Sequence, residues 1–297
     1  SSFQGGDYTI SPTVTSGENS YKVYSIGDDA FRNCSSLTSI TIPKGVTSIG
    51  DGAFSVCKGL TSITLPSTLT SIGNFAFQSC SGLTSIIIPE GVTSIGEDAF
   101  PNCSGLTSIT LPSTLTSIGN NAFINCSSLE AFYGNGNSYY TIDGNRALIV
   151  DGGKTLLAYA EGNAETSYSI PEGVTSIGIS AFEDCSSLAS ITLPSTLTSI
   201  GHRAFFDCSG LTEITINGNI TSLGTNVFYN CSKLTSLTLG EGVTSIPSNL
   251  FTNNNLTNLT EIVVLGNLRS TTFPTGTWLK GGATVTSFTG AGTYIKS

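Results

Sequence analysis

One pattern of apolar and polar positions recurs along the chain every 23 residues. The copy Leu37–Cys57 reads LTSITIPKGVTSIGDGAFSVC, and the copy Leu60–Cys80 reads LTSITLPSTLTSIGNFAFQSC. Apolar residues that alternate with Ser and Thr predict a strand with one buried face, and the proline that follows ends it because proline has no N–H for the ladder. Val46 and Ile49 then predict a second, shorter extended piece.

The end of each unit predicts a different local structure. Ala53, Phe54 and Cys57 are spaced i, i+1, i+4, which suits one helical or 3₁₀ turn laid on the core. Each unit is therefore predicted to run strand, turn, short strand, turn and short helical turn. Such a unit is too small to bury its apolar side chains alone, so the units must stack into a solenoid that forms one domain.

The cysteines follow the same spacing. They occupy positions 34, 57, 80, 103, 126, 185, 208 and 231, at intervals of 23 except for one of 59. Equivalent residues of stacked units have parallel side chains, whereas a disulfide needs Cβ atoms that face each other. We therefore interpret the cysteines as a column of buried thiols. Structural zinc sites use close cysteine pairs with histidine partners, and His202 is the only histidine.

The units also alternate in pairs. A tetrapeptide of the form I-P-x-G occurs at 42–45, 88–91 and 170–173, and LPST occurs at 65–68, 111–114 and 193–196. Within each run this gives a super-period of 46 residues, for which duplication of a two-unit block is the simplest explanation.

Composition and charge exclude several classes of function. The chain has 11 Lys and Arg against 20 Asp and Glu, a net charge of -9, which disfavours nucleic acid as a partner. No apolar stretch approaches the roughly 20 residues of a membrane-spanning helix, so no membrane insertion is expected. His202 lies in a solvated turn, and the carboxylates are spread over the repeat turns without forming a pair. We expect no enzyme, no metal site and no cofactor.

The repeated LTSITIP-x-x-VTSIG-x-x-AF-x-x-C resembles the BspA-like leucine-rich repeat over residues 21–265. The resemblance implies a leucine-rich repeat solenoid, a β-rich α/β right-handed superhelix. It also implies an adhesin-like bacterial protein at the cell surface or secreted, which binds host proteins or glycans. No leader is visible and Met is absent, so we expect an extracellular or cell-surface location with the signal segment outside this sequence.

Three segments depart from the repeat. Residues 1–20 predict a hairpin that caps the first unit. Residues 130–169 predict an insert whose centre is a hairpin with its turn at Asp151-Gly152. Residues 266–297 predict a C-terminal cap in which aromatic residues cover the open end of the core: Phe273, Trp278, Phe288 and Tyr294.

The insert and the strand faces supply the candidate ligand contacts. Tyrosines beside adaptable polar groups are typical of protein or glycan contacts, although these rings could simply pack the insert onto the solenoid. Asparagines of the insert could also ligate calcium, but their spacing favours ordinary turns. On the strand faces, an isoleucine and a glutamate interrupt rows of Ser and Thr. The candidate contacts are Tyr133, Asn135, Asn137, Tyr139, Tyr140, Ile87 and Glu213.

These observations predict a non-catalytic binding module that is monomeric and contacts a host extracellular protein or glycan through its repeat face and insert. Two alternatives remain open at this point. The chain could be a structural surface spacer without a specific ligand, or an accessory module of an enzyme. Retention of a host component by the strand face separates binding from the spacer, and turnover of a substrate reveals the enzyme.

Overall fold

The computed structural model describes residues 6–246 and, beyond them, residues 250, 256, 258–270, 274, 277–280, 283–285 and 287–296. Where the sequence predicts one array, the backbone contacts divide the chain into two compact units. Unit 1 comprises residues 1–152 and 160–162, and unit 2 comprises residues 153–159 and 163–297. The division falls inside the predicted insert. Phe273, one of the predicted cap residues, lies outside the described residues.

Unit 1 contains two sets of parallel strands, which correspond to the two extended pieces of each repeat. The first pieces pair as two three-stranded sheets, and the second pieces form one five-stranded sheet. The first set is β1 (Gly6–Thr9), β5 (Leu37–Thr41), β7 (Ser62–Thr64), β9 (Ser85–Ile87), β11 (Ser108–Thr110) and β13 (Ala131–Tyr133). The second set is β4 (Ser25–Ile26), β6 (Ser48–Ile49), β8 (Ser71–Ile72), β10 (Ser94–Ile95) and β12 (Ser117–Ile118).

Two antiparallel hairpins complete unit 1. The first joins β2 (Thr13–Ser16) to β3 (Asn19–Lys22), and all eight of its residues are exposed. The second joins β14 (Thr141–Asp143) to β15 (Ala147–Val150) in the insert. The predicted turn at Asp151-Gly152 follows β15, and both residues adopt positive φ there.

Unit 2 repeats the two parallel sets. The second pieces are β16 (Thr155–Tyr159), β18 (Ser176–Ile177), β20 (Ser199–Ile200) and β22 (Ser222–Leu223). The first pieces are β17 (Ser167–Ser169), β19 (Ser190–Leu193), β21 (Glu213–Ile216), β23 (Ser236–Leu239) and β24 (Glu261–Val264). Each set pairs in parallel and in register, with equivalent residues of neighbouring coils opposite each other.

The C-terminal strands of unit 2 run antiparallel and end the parallel ladder at β24. They are β25 (Arg269–Ser270), β26 (Trp278–Lys280), β27 (Ala283–Val285), β28 (Phe288–Thr289) and β29 (Gly292–Lys296). β29 pairs with β24 and with β26, while β28 pairs with β25. Trp278, Phe288 and Tyr294 are buried, as a cap over an apolar core requires.

The repeated apolar positions form the core, as the sequence predicts. In the Leu37–Cys57 coil all of these side chains are at most 2% exposed: Leu37, Ile40, Ile42, Val46, Ile49, Ala53, Phe54 and Cys57. The phenylalanines of successive coils stack, with ring centroids 5.0–5.8 Å apart from Phe31 to Phe123. The repeated spacing therefore encodes one buried column of side chains for each apolar position.

The predicted helical turn is wrong. No described residue is helical, so the expected α/β class is wrong as well, and residues 53–56 lie in a run of turns that ends before Cys57. Phe54 N donates to Ala76 O and Val56 N donates to Gln78 O, both in the next coil, at 2.8 and 2.7 Å. A helix needs every N–H to bond within its own segment, whereas here alternate N–H groups join neighbouring coils.

Candidate functional site

Unit 1 presents two exposed apolar side chains in one row of its strand face. Thr110 of β11 lies opposite Ile87 of β9 on one side and opposite Tyr133 of β13 on the other. Neighbouring strands are about 4.8 Å apart, so Ile87 and Tyr133 are roughly 10 Å apart. Ile87 is 72% exposed and Tyr133 is 46% exposed. We refer to Ile87, Thr110 and Tyr133 as the strand-face row.

Small residues lie beside the strand-face row, on its N-terminal side. Two positions earlier on the same strands, the parallel outward row consists of Ser85, Ser108 and Ala131. Because side chains alternate along a strand, both rows lie on the same face. The larger side chains of Ile87 and Tyr133 therefore project above a floor of small residues, where a partner surface can reach them.

Tyr140 and Asn137 hold the insert in place. Tyr140 is fully buried, and its hydroxyl lies 3.1 Å from the carbonyl oxygens of Leu111 and Pro112. The Asn137 amide donates to Leu115 O at 2.6 Å and accepts from the N–H of Tyr140 at 2.9 Å. The prediction that Tyr140 contacts a partner is therefore wrong, because its ring packs the insert onto the coil before it.

Tyr139 and Asn135 lie nearer the surface. Tyr139 is half-buried, and its hydroxyl accepts a hydrogen bond from Ile118 N at 3.0 Å. Burial raises the pKa of the Tyr139 and Tyr140 hydroxyls. Asn135 is exposed. Of the three tyrosines predicted as contacts, Tyr133 alone presents an exposed ring.

Glu213 belongs to unit 2 and has its own surroundings. It is exposed at the start of β21, in an outward row with Ser190, Ser236 and Glu261. Ser236 Oγ donates to Glu261 Oε2 at 3.2 Å. This row is polar throughout, unlike the strand-face row of unit 1.

A groove of about 490 Å³ follows the second strands of unit 1, and the sequence analysis did not predict it. A polar ladder runs along it, because Asp28 Oδ1 accepts from Asp51 N at 2.8 Å and Asp51 Oδ1 accepts from Asn74 N at 2.7 Å. Asn74 Oδ1 accepts in turn from Glu97 N at 2.8 Å. The Asp28, Asp51 and Asn74 side chains satisfy the turns of neighbouring coils, which explains why Asp and Asn recur there.

The structure gives the cysteines a hydrogen-bonding role besides packing. All eight are free thiols, seven buried and Cys34 half-buried. Cys57 Sγ donates to Phe31 O at 3.0 Å, and Cys80 Sγ donates to Phe54 O at 3.1 Å. Burial raises the pKa of Cys57 to about 12, which disfavours the reactive thiolate. Within the described residues, no three His, Cys, Asp or Glu side chains cluster so as to hold a metal ion.

Comparison with known proteins agrees with the repeat geometry. The family model described as the BspA type leucine rich repeat region matches residues 12–143 and 158–275. The chain belongs to this family. Among curated proteins, none matches the chain. Over the part of the chain that the structure describes, no helix has the length and apolar character to cross a bilayer.

Solved structures of other bacterial proteins share the fold. A leucine-rich repeat protein from Eubacterium ventriosum is 30% identical with a TM-score of 0.70, and the match covers 82% of this chain and 64% of that protein. One from Bacteroides ovatus is 29% identical with a TM-score of 0.63, over 87% and 69%. The pneumococcal vaccine antigen PcpA, at 23% identity and a TM-score of 0.63 over 92% and 80%, shows the fold alone.

Proposed function

We propose that this BspA-type chain is a non-catalytic, adhesin-like binding module that acts at the bacterial cell surface or after secretion. Its partner is an extracellular protein of the host, which it contacts through the strand-face row of unit 1. The observation that carries the proposal is the placement of Ile87 and Tyr133 in one register row, both exposed above small side chains.

The chemistry of the row favours a protein partner. Exposed aromatic side chains with apolar neighbours act as anchors at protein interfaces, since they bury much area at little cost in conformational entropy. The surrounding Ser and Thr hydroxyls supply adaptable hydrogen bonds at the rim. A surface location also fits what membership of the BspA-type family implies.

The test is to place threonine, the usual residue of the repeat, at positions 87 and 133. Thr41, Thr64 and Thr110 occupy this slot in other coils, so the double variant I87T/Y133T gives the row a uniform threonine face. We expect the variant to bind at least about 10-fold more weakly than the parent to whichever protein of a host extracellular-matrix array retains the parent. Its free energy of unfolding should stay within about 0.5 kcal/mol of the parent, because both side chains are exposed.

The matched control is Thr64→Ser, a change of one methyl group at the same slot outside the row, which should bind as the parent does. Equal retention of the parent and I87T/Y133T would contradict the proposal. Failure of every array component to retain the parent would instead favour the structural spacer. Turnover in a hydrolase screen that a carboxylate substitution abolishes would revive the enzyme class.

A further inference from the structure

Phe75 adopts a backbone conformation that its residue type disfavours. Its φ is 54°, and the equivalent residues of the other unit 1 coils also have positive φ: Asp29, Gly52, Asp98 and Asn121. Asp, Asn and Gly tolerate this left-handed region, whereas a bulky residue there costs about 1–3 kcal/mol. Phe75 is also 42% exposed, so burial of its ring offsets only part of the strain. A strained and exposed aromatic residue points to a function for the ring.

A glycine opens a depression beside this ring. Gly52 occupies the equivalent position in the preceding coil, and a Cβ added there would lie 2.5 Å from Asp29 Oδ1 and 3.9 Å from the Ser55 Cβ. The absence of a side chain leaves a groove of about 410 Å³ that reaches from Asp29 to Phe75. This volume is within the range of about 300–1,000 Å³ that small-molecule sites occupy. Both the ring and the groove lie within unit 1.

The walls of the groove carry donors and acceptors of hydrogen bonds. Arg32 Nη1 and Asp29 Oδ1 are 3.3 Å apart, and each side chain is about half exposed, so both retain capacity for a ligand. The Gln78 amide oxygen accepts from the buried Ser55 hydroxyl at 3.1 Å. This bond fixes the amide and leaves its N–H groups as donors. An aromatic face is thus combined with a carboxylate, a guanidinium and an amide.

This combination matches the chemistry of a pyranose sugar. The C–H groups on one face of the sugar ring are weakly positive and pack on the negative face of an aromatic ring. Its neighbouring hydroxyls each donate and accept, as carboxylate, guanidinium and amide groups require. Asp28, Asp29 and Asp51 outnumber Arg32 in the groove, so its field disfavours anionic sugars. We propose that Phe75 and the groove beside it form a binding site for neutral saccharides.

The sharpest test replaces the ring with a residue that suits the backbone. Asn tolerates positive φ, so Phe75→Asn should fold at least as stably as the parent while losing the stacking surface. Cellotriose, maltotriose and chitotriose serve as probes, titrated into the full chain and followed by NMR and calorimetry. We expect at least one of them to bind the parent, and F75N to bind it at least about 10-fold more weakly.

Two further measurements make the result specific. Tyr133→Thr should leave saccharide binding unchanged, because the strand-face row is a different surface, and sialyllactose should bind more weakly than the neutral probes. The proposal is overturned if no neutral probe binds at about 10 mM. It is equally overturned if F75N binds saccharides as the parent does, or if hexalysine occupies the groove in preference to them. Each outcome is independent of whether I87T/Y133T loses a protein partner.

Discussion

At the scale of single residues, the turn before each cysteine is set by backbone conformation. The residue that precedes cysteine has positive φ in all eight copies: Asn33, Val56, Ser79, Asn102, Asn125, Asp184, Asp207 and Asn230. Asn and Asp tolerate this conformation because their short polar side chains bond locally, which explains their frequency at this position. Ser79 and Val56 are the two exceptions, and Val56 is strained because it is a β-branched residue with φ of 63°.

Val56→Asn should therefore stabilise the protein by about 1 kcal/mol, because Asn relieves the strain and keeps the backbone bond from residue 56 N to Gln78 O. Urea unfolding followed by circular dichroism measures the change. Asn33→Val is the matched control, because Asn33 has the same positive φ at the equivalent position and an exposed side chain, and it should destabilise by a similar amount. An unchanged free energy of unfolding in both variants would show that the turn does not impose this conformation.

At the scale of elements, a set of hydrogen bonds between neighbouring coils explains the 46-residue super-period. We call this set the clasp. Thr114 Oγ accepts from Gly91 N at 3.0 Å and donates to Val92 O at 2.8 Å, and the Glu90 carboxylate accepts from Ser113 N at 3.1 Å. The threonine and glycine form the same two bonds around Gly45–Thr68 and Gly173–Thr196. The I-P-x-G and LPST coils are therefore complementary halves of a pair.

Thr114→Val tests the clasp, because valine keeps the shape of threonine and removes both hydrogen bonds. We expect a loss of about 1 kcal/mol in the free energy of unfolding, measured in urea. Thr116→Val is the control: Thr116 Oγ bonds only Thr93 O, which the Thr116 N–H also reaches at 2.8 Å. That variant should stay within about 0.5 kcal/mol of the parent. Equal losses in the two variants would contradict the clasp.

The sequence predicted the core more completely than the turns or the site. Apolar spacing is enough to identify Leu37, Ile40 and Phe54 as buried, because burial follows directly from the repeat. The apolar spacing before Cys57 is also compatible with a helical turn. The hydrogen bonds to the next coil exclude that turn, but nothing in the local sequence indicates them. Tyr140 appeared equivalent to Tyr133 for the same reason. The local sequence does not reveal which tyrosine ring is buried between the insert and the preceding coil.

At the scale of the whole molecule, each unit is held together by bonds that join one coil to the next. In unit 2 the Phe182, Phe205 and Phe228 rings stack with centroids 5.0 and 5.3 Å apart, and Cys208 Sγ donates to Phe182 O at 2.9 Å. Unit 1 repeats this arrangement along its own phenylalanine stack. The strand face and the groove at Phe75 depend on it, since a shift of the coils would separate the residues that form them.

Native alkylation of the thiols tests this stacking most directly. Iodoacetamide at pH 8 with mass spectrometry should label Cys34 first, because it is half-buried. The other seven cysteines, which are buried, should react only after unfolding in urea, since burial hinders access and disfavours the thiolate. Labelling of Cys57, Cys80 and Cys103 in the native protein as fast as Cys34, or disulfides between them, would contradict the inward column of thiols and the stacked coils that it represents.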